Sequence, residues 1–288
     1  MTEGVRLLAE GARAEKLGVL DRALTAYEEA ASTSTSADVV AEALTRIADV
    51  LRLQCDWDRA LATARQAQDV AAKEGLSVRQ AQALNAEASV HLARGDLDGA
   101  VPLLEQMVRV SDDVRLRGIG LQNLGSVYAQ RGDLDAAERM FAESFACFHE
   151  CGYERGQAIA LNNQGRVALD RGDAVHAKAV LEQALTSARQ VEDEELIALA
   201  TTNLSEATLA AGDYPRAHDL VCSALGHFRE SGNRWREVEC LRLLGTINER
   251  RGYRDEAQRC YSRALELATQ IDARLEVATL GRALERLA

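Results

Sequence analysis

Three asparagines, Asn123, Asn163 and Asn203, stand 40 residues apart. Each amide can donate and accept at once. A row of them suits pairing with the backbone N–H and C=O groups of an extended peptide, whatever its sequence. Gln122, Asn162 and Thr202 precede the three, and Asn85 sits beside the row one copy earlier. Asparagine is a mediocre helix former because its side chain competes for backbone hydrogen bonds. Its recurrence at one interval therefore asks for a compensating role. The bland alternative is that each amide bonds a neighbouring helix and steadies its stacking.

The residues around the row share its spacing. Ile159, Asn163, Arg166 and Asp170 fall at i, i+4, i+7 and i+11, one face of a helix. Ile119, Asn123, Ser126 and Gln130 repeat that stripe one copy earlier, and Leu199, Asn203, Glu206 and Ala210 one copy later. Further charges cluster at Arg46, Asp49 and Arg52, and at Glu239, Arg242, Glu249 and Arg250. They could select a ligand or pair with one another on a solvated face.

Other chemistry finds no carrier. There is no P-loop, no Rossmann glycine pattern and no HExxH. Cys147, His149 and Cys151 lie close in sequence, but a metal site needs more ligands than converge there. Cys222, Cys240 and Cys260 match apolar packing positions. His91 replaces Tyr128 in the repeat pattern and is expected in the core. His218 and His227 lack a nucleophile or acid partner at a recognisable spacing. No catalytic residue, metal or cofactor is expected. Arg-Gly-Asp occurs at 94–96, 131–133 and 171–173. A turn explains it better than adhesion does, with arginine at a helix end, glycine as the stop and aspartate as the next cap.

The elements that must hold the asparagine row are helical hairpins. In residues 121–143, Leu121, Gly125 and Tyr128 share a face, Arg131-Gly132-Asp133 breaks the helix, and Ala137 and Phe141 begin a second stripe. The turn recurs at Gly18, Cys55, Gly95, Gly132, Gly172, Gly212 and Gly252. Seven residues before each turn stands a small residue: Gly11, Ala48, Ala88, Gly125, Gly165, Ser205 or Gly245. Five residues after each turn stands alanine. Four further on stands Tyr27, Ala64, Leu104, Phe141, Leu181, Val221 or Tyr261.

That pattern resembles the tetratricopeptide repeat, best at 121–144 and 241–264 and over nearly the whole chain. It departs in three ways: leucine stands at Leu44, Leu84, Leu121, Leu161 and Leu241 in place of the family's early aromatic, the closing proline is absent, and the period is nearer 40. The longer version is similar to repeats of kinesin light chains, of the GoLoco-binding spindle adaptor, and of MalT- and Rap-like bacterial regulators. The resemblance implies an all-α, right-handed α-solenoid whose first helices line a concave groove. It also implies peptide contact by the asparagines, as in the related adaptors. The lysine–asparagine clamp of the chaperone-binding members is not found; Lys16 has no matched asparagine.

The expected organisation is one domain, 1–288. Its repeats span about 4–37, 41–77, 81–114, 118–154, 158–194, 198–234 and 238–271, with a capping helix at 273–288. Segment 30–38, rich in Ser and Thr, reads as the softest link. Pro215 suits a first helical turn, and Pro102 lies deeper in its helix. No comparable cap precedes the first repeat, so the expectation is an exposed edge or excision from a longer chain.

Composition agrees. Aromatics are 4%, prolines number two, and no period-two strand pattern appears. A net charge of −11 argues against direct nucleic-acid or anionic-membrane binding. No apolar run is long enough to span a bilayer and the N-terminus does not read as a secretory signal. Six cysteines do not read as a disulfide scaffold, and a cytoplasmic protein is expected. The expected function is a non-enzymatic scaffold that binds a protein or peptide segment in its groove. The expected contacts are Asn85, Gln122, Asn123, Ser126, Asn162, Asn163, Arg166, Asn203, Glu206 and Arg242. The alternative is the ligand-sensing arm of a bacterial transcription or signalling regulator. Self-association through exposed hairpin edges is also compatible with the pattern.

Overall fold

The computed structural model describes residues 2–287, which form fifteen α-helices and no strand. Met1 and Ala288, the ends of the range expected for the array, lie outside the described residues. The chain divides into two compact units, Met1–Gly152 and Tyr153–Ala288. The first holds α1 (Glu3–Lys16), α2 (Leu20–Thr33), α3 (Ala37–Leu53), α4 (Trp57–Lys73), α5 (Ser77–Ala93), α6 (Leu97–Val110), α7 (Val114–Gln130) and α8 (Leu134–Glu150). The second holds α9 (Glu154–Asp170), α10 (Ala174–Gln190), α11 (Glu194–Ala210), α12 (Tyr214–Glu230), α13 (Arg234–Arg250), α14 (Arg254–Gln270) and α15 (Arg274–Leu287). Within each unit, consecutive helices pair as hairpins and the hairpins stack as in a solenoid.

The turns follow from their residues. Gly132 takes a φ of 78°, left-handed geometry that a Cβ would strain. The Gly132 N–H bonds the Ala129 carbonyl at 3.0 Å and the Asp133 N–H bonds the Tyr128 carbonyl at 2.9 Å, which satisfies the end of α7. The Asp133 side chain then accepts from the Ala136 N–H at 3.0 Å and caps α8. Asp96 and Asp173 do the same for α6 and α10, so all three Arg-Gly-Asp triplets are hairpin turns. Cys55 holds the equivalent place with φ 61°.

Three local expectations change. Segment 30–38 is mostly helix, because α2 runs to Thr33 and only Ser34–Ser36 separates it from α3. The Ser32 and Thr33 hydroxyls bond back to the Glu29 carbonyl of their own helix, so they compete less for non-helical backbone bonds. His91 is half-buried instead of fully packed. Its Nδ1 lies 2.7 Å from the Asp96 carboxylate across the turn, in space left by Gly99. Cys240 is buried as expected, but Cys222 is exposed and Cys260 only half-buried. Val221 and Tyr261, one position away from them, take the core sites.

Packing inside a hairpin rests on the repeating small and large residues. The seven alanines five residues after the turns are fully buried. A Cβ on Gly245 would lie 2.5 Å from the Tyr261 ring, so only glycine lets the ring in. Tyr261 also donates to Glu249 at 2.9 Å, and Tyr27 donates to Glu15 at 2.8 Å in the same register. Burial, helped by Glu249, pushes the Tyr261 phenol up to about 12; burial and Glu15 also push Tyr27 upward.

A pH effect follows. The unfolded phenol titrates near 10, so the neutral-phenol contribution is whole below that pH. It declines as pH rises from about 10 and is gone above about 12. At 1.36 kcal/mol per pKa unit, Tyr261 is expected to forfeit of order 2 kcal/mol there. Urea midpoints at pH 8 and pH 11 test this: Tyr261→Phe should show a smaller alkaline loss than wild type. An equal loss would refute it.

In five of the seven hairpins the first helix buries more residues than the second, while α1 matches α2 and α7 matches α8. α13 buries nine residues on several sides, α14 only five along one stripe. In the second unit the backbones of α9 and α11, and of α11 and α13, approach closely, whereas α10 and α12 meet through the Arg216–Glu182 ion pair at 2.8 Å. The first helices of the second unit thus lie side by side and share one face.

Candidate functional site

Convergence of α9, α11 and α13 leaves an open pocket of about 510 Å³. Helix α9 contributes Arg155, Ile159, Asn162, Asn163 and Arg166. Helix α11 contributes Glu195, Leu196, Leu199 and Asn203, and α13 contributes Arg236, Glu239 and Arg242. These residues lie on one face because a helix returns every three to four positions. A smaller pocket of about 140 Å³ lies on the corresponding face of the first unit and includes Arg46, Asp49, Arg79 and Asn85. Burial raises the Asp49 carboxyl there, against the pull of Arg52 and Arg46.

The ten expected contact residues fall into distinct roles. In the first unit, the Asn123 amide donates to the Asn85 carbonyl at 2.9 Å. The Ser126 hydroxyl bonds back to the Gln122 backbone carbonyl at 3.2 Å, so it is committed to its own helix. In the second unit, the Asn203 amide donates to Asn162 at 2.9 Å, and Asn162 is buried. Asn163 lines the pocket with no hydrogen bond to its side chain among the described residues.

Two amides of the row therefore bond the preceding copy, and one stays open. Each bonded pair uses one N–H and one acceptor lone pair, so Asn203 keeps a second N–H and its carbonyl oxygen. The pairs also steady stacking, because a bond between adjacent first helices holds their register.

The charges are mostly paired. Arg166 donates to Glu206 at 2.6 Å and to Asp170 at 2.9 Å. Burial opposes its charge, but the two carboxylates outweigh burial and raise its pKa. Arg155 bonds Asp193 at 2.6 Å, which also raises it. The Leu196 N–H and Arg155 hold Asp193 below the usual carboxylate range. Arg236 bonds Glu239 at 2.7 Å. Arg242 differs: its Nε lies 3.2 Å from a Glu276 oxygen of α15, yet the two are not aligned to hydrogen-bond.

Four pocket residues escaped sequence reasoning: Arg155, Glu195, Leu196 and Arg236. The repeat pattern places the starts of the fifth to seventh copies near 158, 198 and 238, whereas the helices begin at Glu154, Glu194 and Arg234. The first turn of each helix therefore precedes the positions that the core pattern fixes. The caps Asp193 and Asn233, which accept from the N–H groups of Leu196 and Arg236, were the signal that could have found them.

Among the described residues no group of three His, Cys, Asp or Glu side chains is arranged to hold a metal ion. No helix of the described residues is long and apolar enough to cross a membrane.

The sequence profile of the tetratricopeptide repeat matches residues 39–113 and 117–190, just over half of the chain. Among solved structures, the chain is similar to the apo form of RapI, with TM-score 0.73 and 14% identity over 94% of this chain and 100% of RapI. It is similar to a Rap protein complexed with competence and sporulation factor, with TM-score 0.71 and 15% identity over 96% of this chain and 80% of that one. It is also similar to a signal transduction ATPase with a tetratricopeptide repeat sensor from Pyrococcus horikoshii. There the TM-score is 0.78 and the identity 10%, over 96% of this chain and 44% of that one. At these identities the likeness is one of fold. No curated protein matches the sequence.

Proposed function

This chain belongs to the tetratricopeptide repeat family, and from that premise we propose that it is a non-enzymatic binding protein whose second unit grips an extended peptide segment along α9, α11 and α13. The observation that carries this reading is the unpaired Asn163 amide in a pocket of about 510 Å³ built from three first helices. A half-buried amide without a partner is free to take a backbone N–H and C=O from a ligand. Ile159, Leu196 and Leu199 give the same pocket apolar surface for a side chain. The Rap protein solved with competence and sporulation factor has this fold and a bound partner, which supports a receptor role for the face.

The test is panning of a peptide display library on the full chain, followed by calorimetry of the selected peptides. Asn163→Ala is expected to weaken them by about 1–2 kcal/mol, the typical worth of a lost ligand hydrogen bond, with unchanged far-UV circular dichroism. Peptides that bind wild type and Asn163→Ala equally would sink the reading, as would a library that yields no binder.

A sensor is the second reading, favoured by the match to 44% of a larger ATPase described as carrying a tetratricopeptide repeat sensor. It keeps the same pocket and adds a neighbouring effector domain. Such a domain in the natural open reading frame would select it.

A further inference from the structure

We propose that the second-unit pocket reads an acidic residue in its peptide, with Arg242 as the carboxylate receptor and Glu276 of α15 as an internal stand-in that the ligand displaces. This inference rests on the peptide-binding reading and names the chemistry of its ligand.

Four arginines line the pocket, and three are well coordinated. Arg166 holds two carboxylates, Arg155 holds Asp193 and Arg236 holds Glu239, all with bonds of 2.6–2.9 Å. Arg242 is the exception. The Nε of Arg242 and the Oε2 of Glu276 are both buried and lie 3.2 Å apart, yet neither atom makes a hydrogen bond. No other group among the described residues bonds the Arg242 guanidinium. A guanidinium presents a planar fork that a carboxylate meets best with two parallel bonds. Glu276 attracts it by charge but misses that geometry. The two side chains are 36% and 21% exposed, but Nε and Oε2 themselves are withdrawn from water without a hydrogen bond, which is costly for both atoms. A carboxylate arriving through the pocket can meet the fork in its own plane, and Glu276, on α15, can turn out to solvent.

The pocket also has a direction. Glu195, in the first turn of α11, is exposed and its carboxylate has no partner among the described residues. It repels acid at its own end. Glu195 stands in the first turn of α11 and Arg242 about two turns into α13, so an acidic residue is read at Arg242.

The experiment uses the full chain and positional-scanning pools of acetylated, amidated octapeptides. Glu is compared with Gln at each position by fluorescence anisotropy in about 0.15 M salt, where long-range charge effects are screened beyond roughly 8 Å. One position is expected to favour Glu by about tenfold, the fold-change of one charge-assisted bond. Arg242→Gln should reduce that preference to about twofold or less, and Glu276→Gln should tighten Glu pools about threefold while leaving Gln pools unchanged. The Glu276→Gln arm decides the matter if Arg242→Gln unfolds, because a pair that is merely structural would not raise affinity when broken.

Equal binding of Glu and Gln pools at every position would overturn the proposal. If Asn163→Ala still weakened those pools, the peptide-binding reading would stand without it. If no pool bound, both would fall. Displacement of the Glu pools by a short single-stranded DNA that itself binds more tightly would make this a phosphate site and also overturn the proposal.

Discussion

Phe228→Ala is expected to destabilise the chain by about 3–5 kcal/mol, the range for emptying an aromatic core site. Phe228 is 1% exposed at the end of α12, in the core cluster that also holds Val238, Leu241 and Tyr261. Removing the ring forfeits its burial and leaves a cavity that helices on several sides cannot close. Trp235 supplies the contrast, since it is a larger aromatic but 51% exposed. Trp235→Ala should change stability by less than about 0.5 kcal/mol, as surface substitutions do. Urea unfolding followed by circular dichroism measures both. Repeat proteins lose cooperativity in long arrays, so amide exchange should accompany it, with the largest loss of protection in α12 and α13. A Phe228→Ala effect below about 1 kcal/mol would mean that the site collapses around the gap, contrary to the packing described.

Gly245→Val is expected to reduce stability by about 3 kcal/mol, the upper part of the overpacking range. A Cβ there would stand 2.5 Å from the Tyr261 ring. The ring has no easy retreat, because its hydroxyl is held by Glu249 at 2.9 Å and by Thr246 at 3.1 Å. Third-copy chemistry suggests the rescue. Ala88 faces Leu104 where Gly245 faces Tyr261, both in buried hairpin cores. Gly245→Ala combined with Tyr261→Leu should therefore be less damaging than the two single effects added together, since contacting sites couple. Additive losses in that double-mutant cycle would show that the two positions do not share one space.

The same trade of volume runs through the chain and was legible in the sequence. Gly11 accompanies Tyr27, Gly125 accompanies Phe141, Gly165 accompanies Leu181, and Ala48 accompanies Ala64. Each glycine before the turn goes with a Tyr, Phe or Leu after it, because the glycine leaves room for the large side chain. The glycine Cβ positions bear this out, each falling within 2.4–2.7 Å of its partner side chain. The turns were equally legible, since left-handed φ at Gly132 and capping by Asp133 are properties of adjacent residues.

The site was legible only in part. Spacing puts Asn163, Arg166 and Asn203 on matching helix faces, a charge cluster marks Arg242, and all four line one pocket. Arg155, Glu195 and Arg236 were missed because a helix start is a weaker signal than a repeating core. The state of each amide was not legible at all. Asn163 and Asn203 occupy the same repeat position, yet one is open and the other is bonded to Asn162, 41 residues back.

Sequence alone therefore determined the hairpin, because its turn geometry and its small-to-large fit act between residues at most sixteen positions apart. Tertiary structure decided which polar groups remain available. The bond of Asn203 to Asn162 and the misaligned pair of Arg242 and Glu276 join different hairpins. Their geometry depends on how one hairpin seats against the next, a fit set by many weak apolar contacts and by no single residue type.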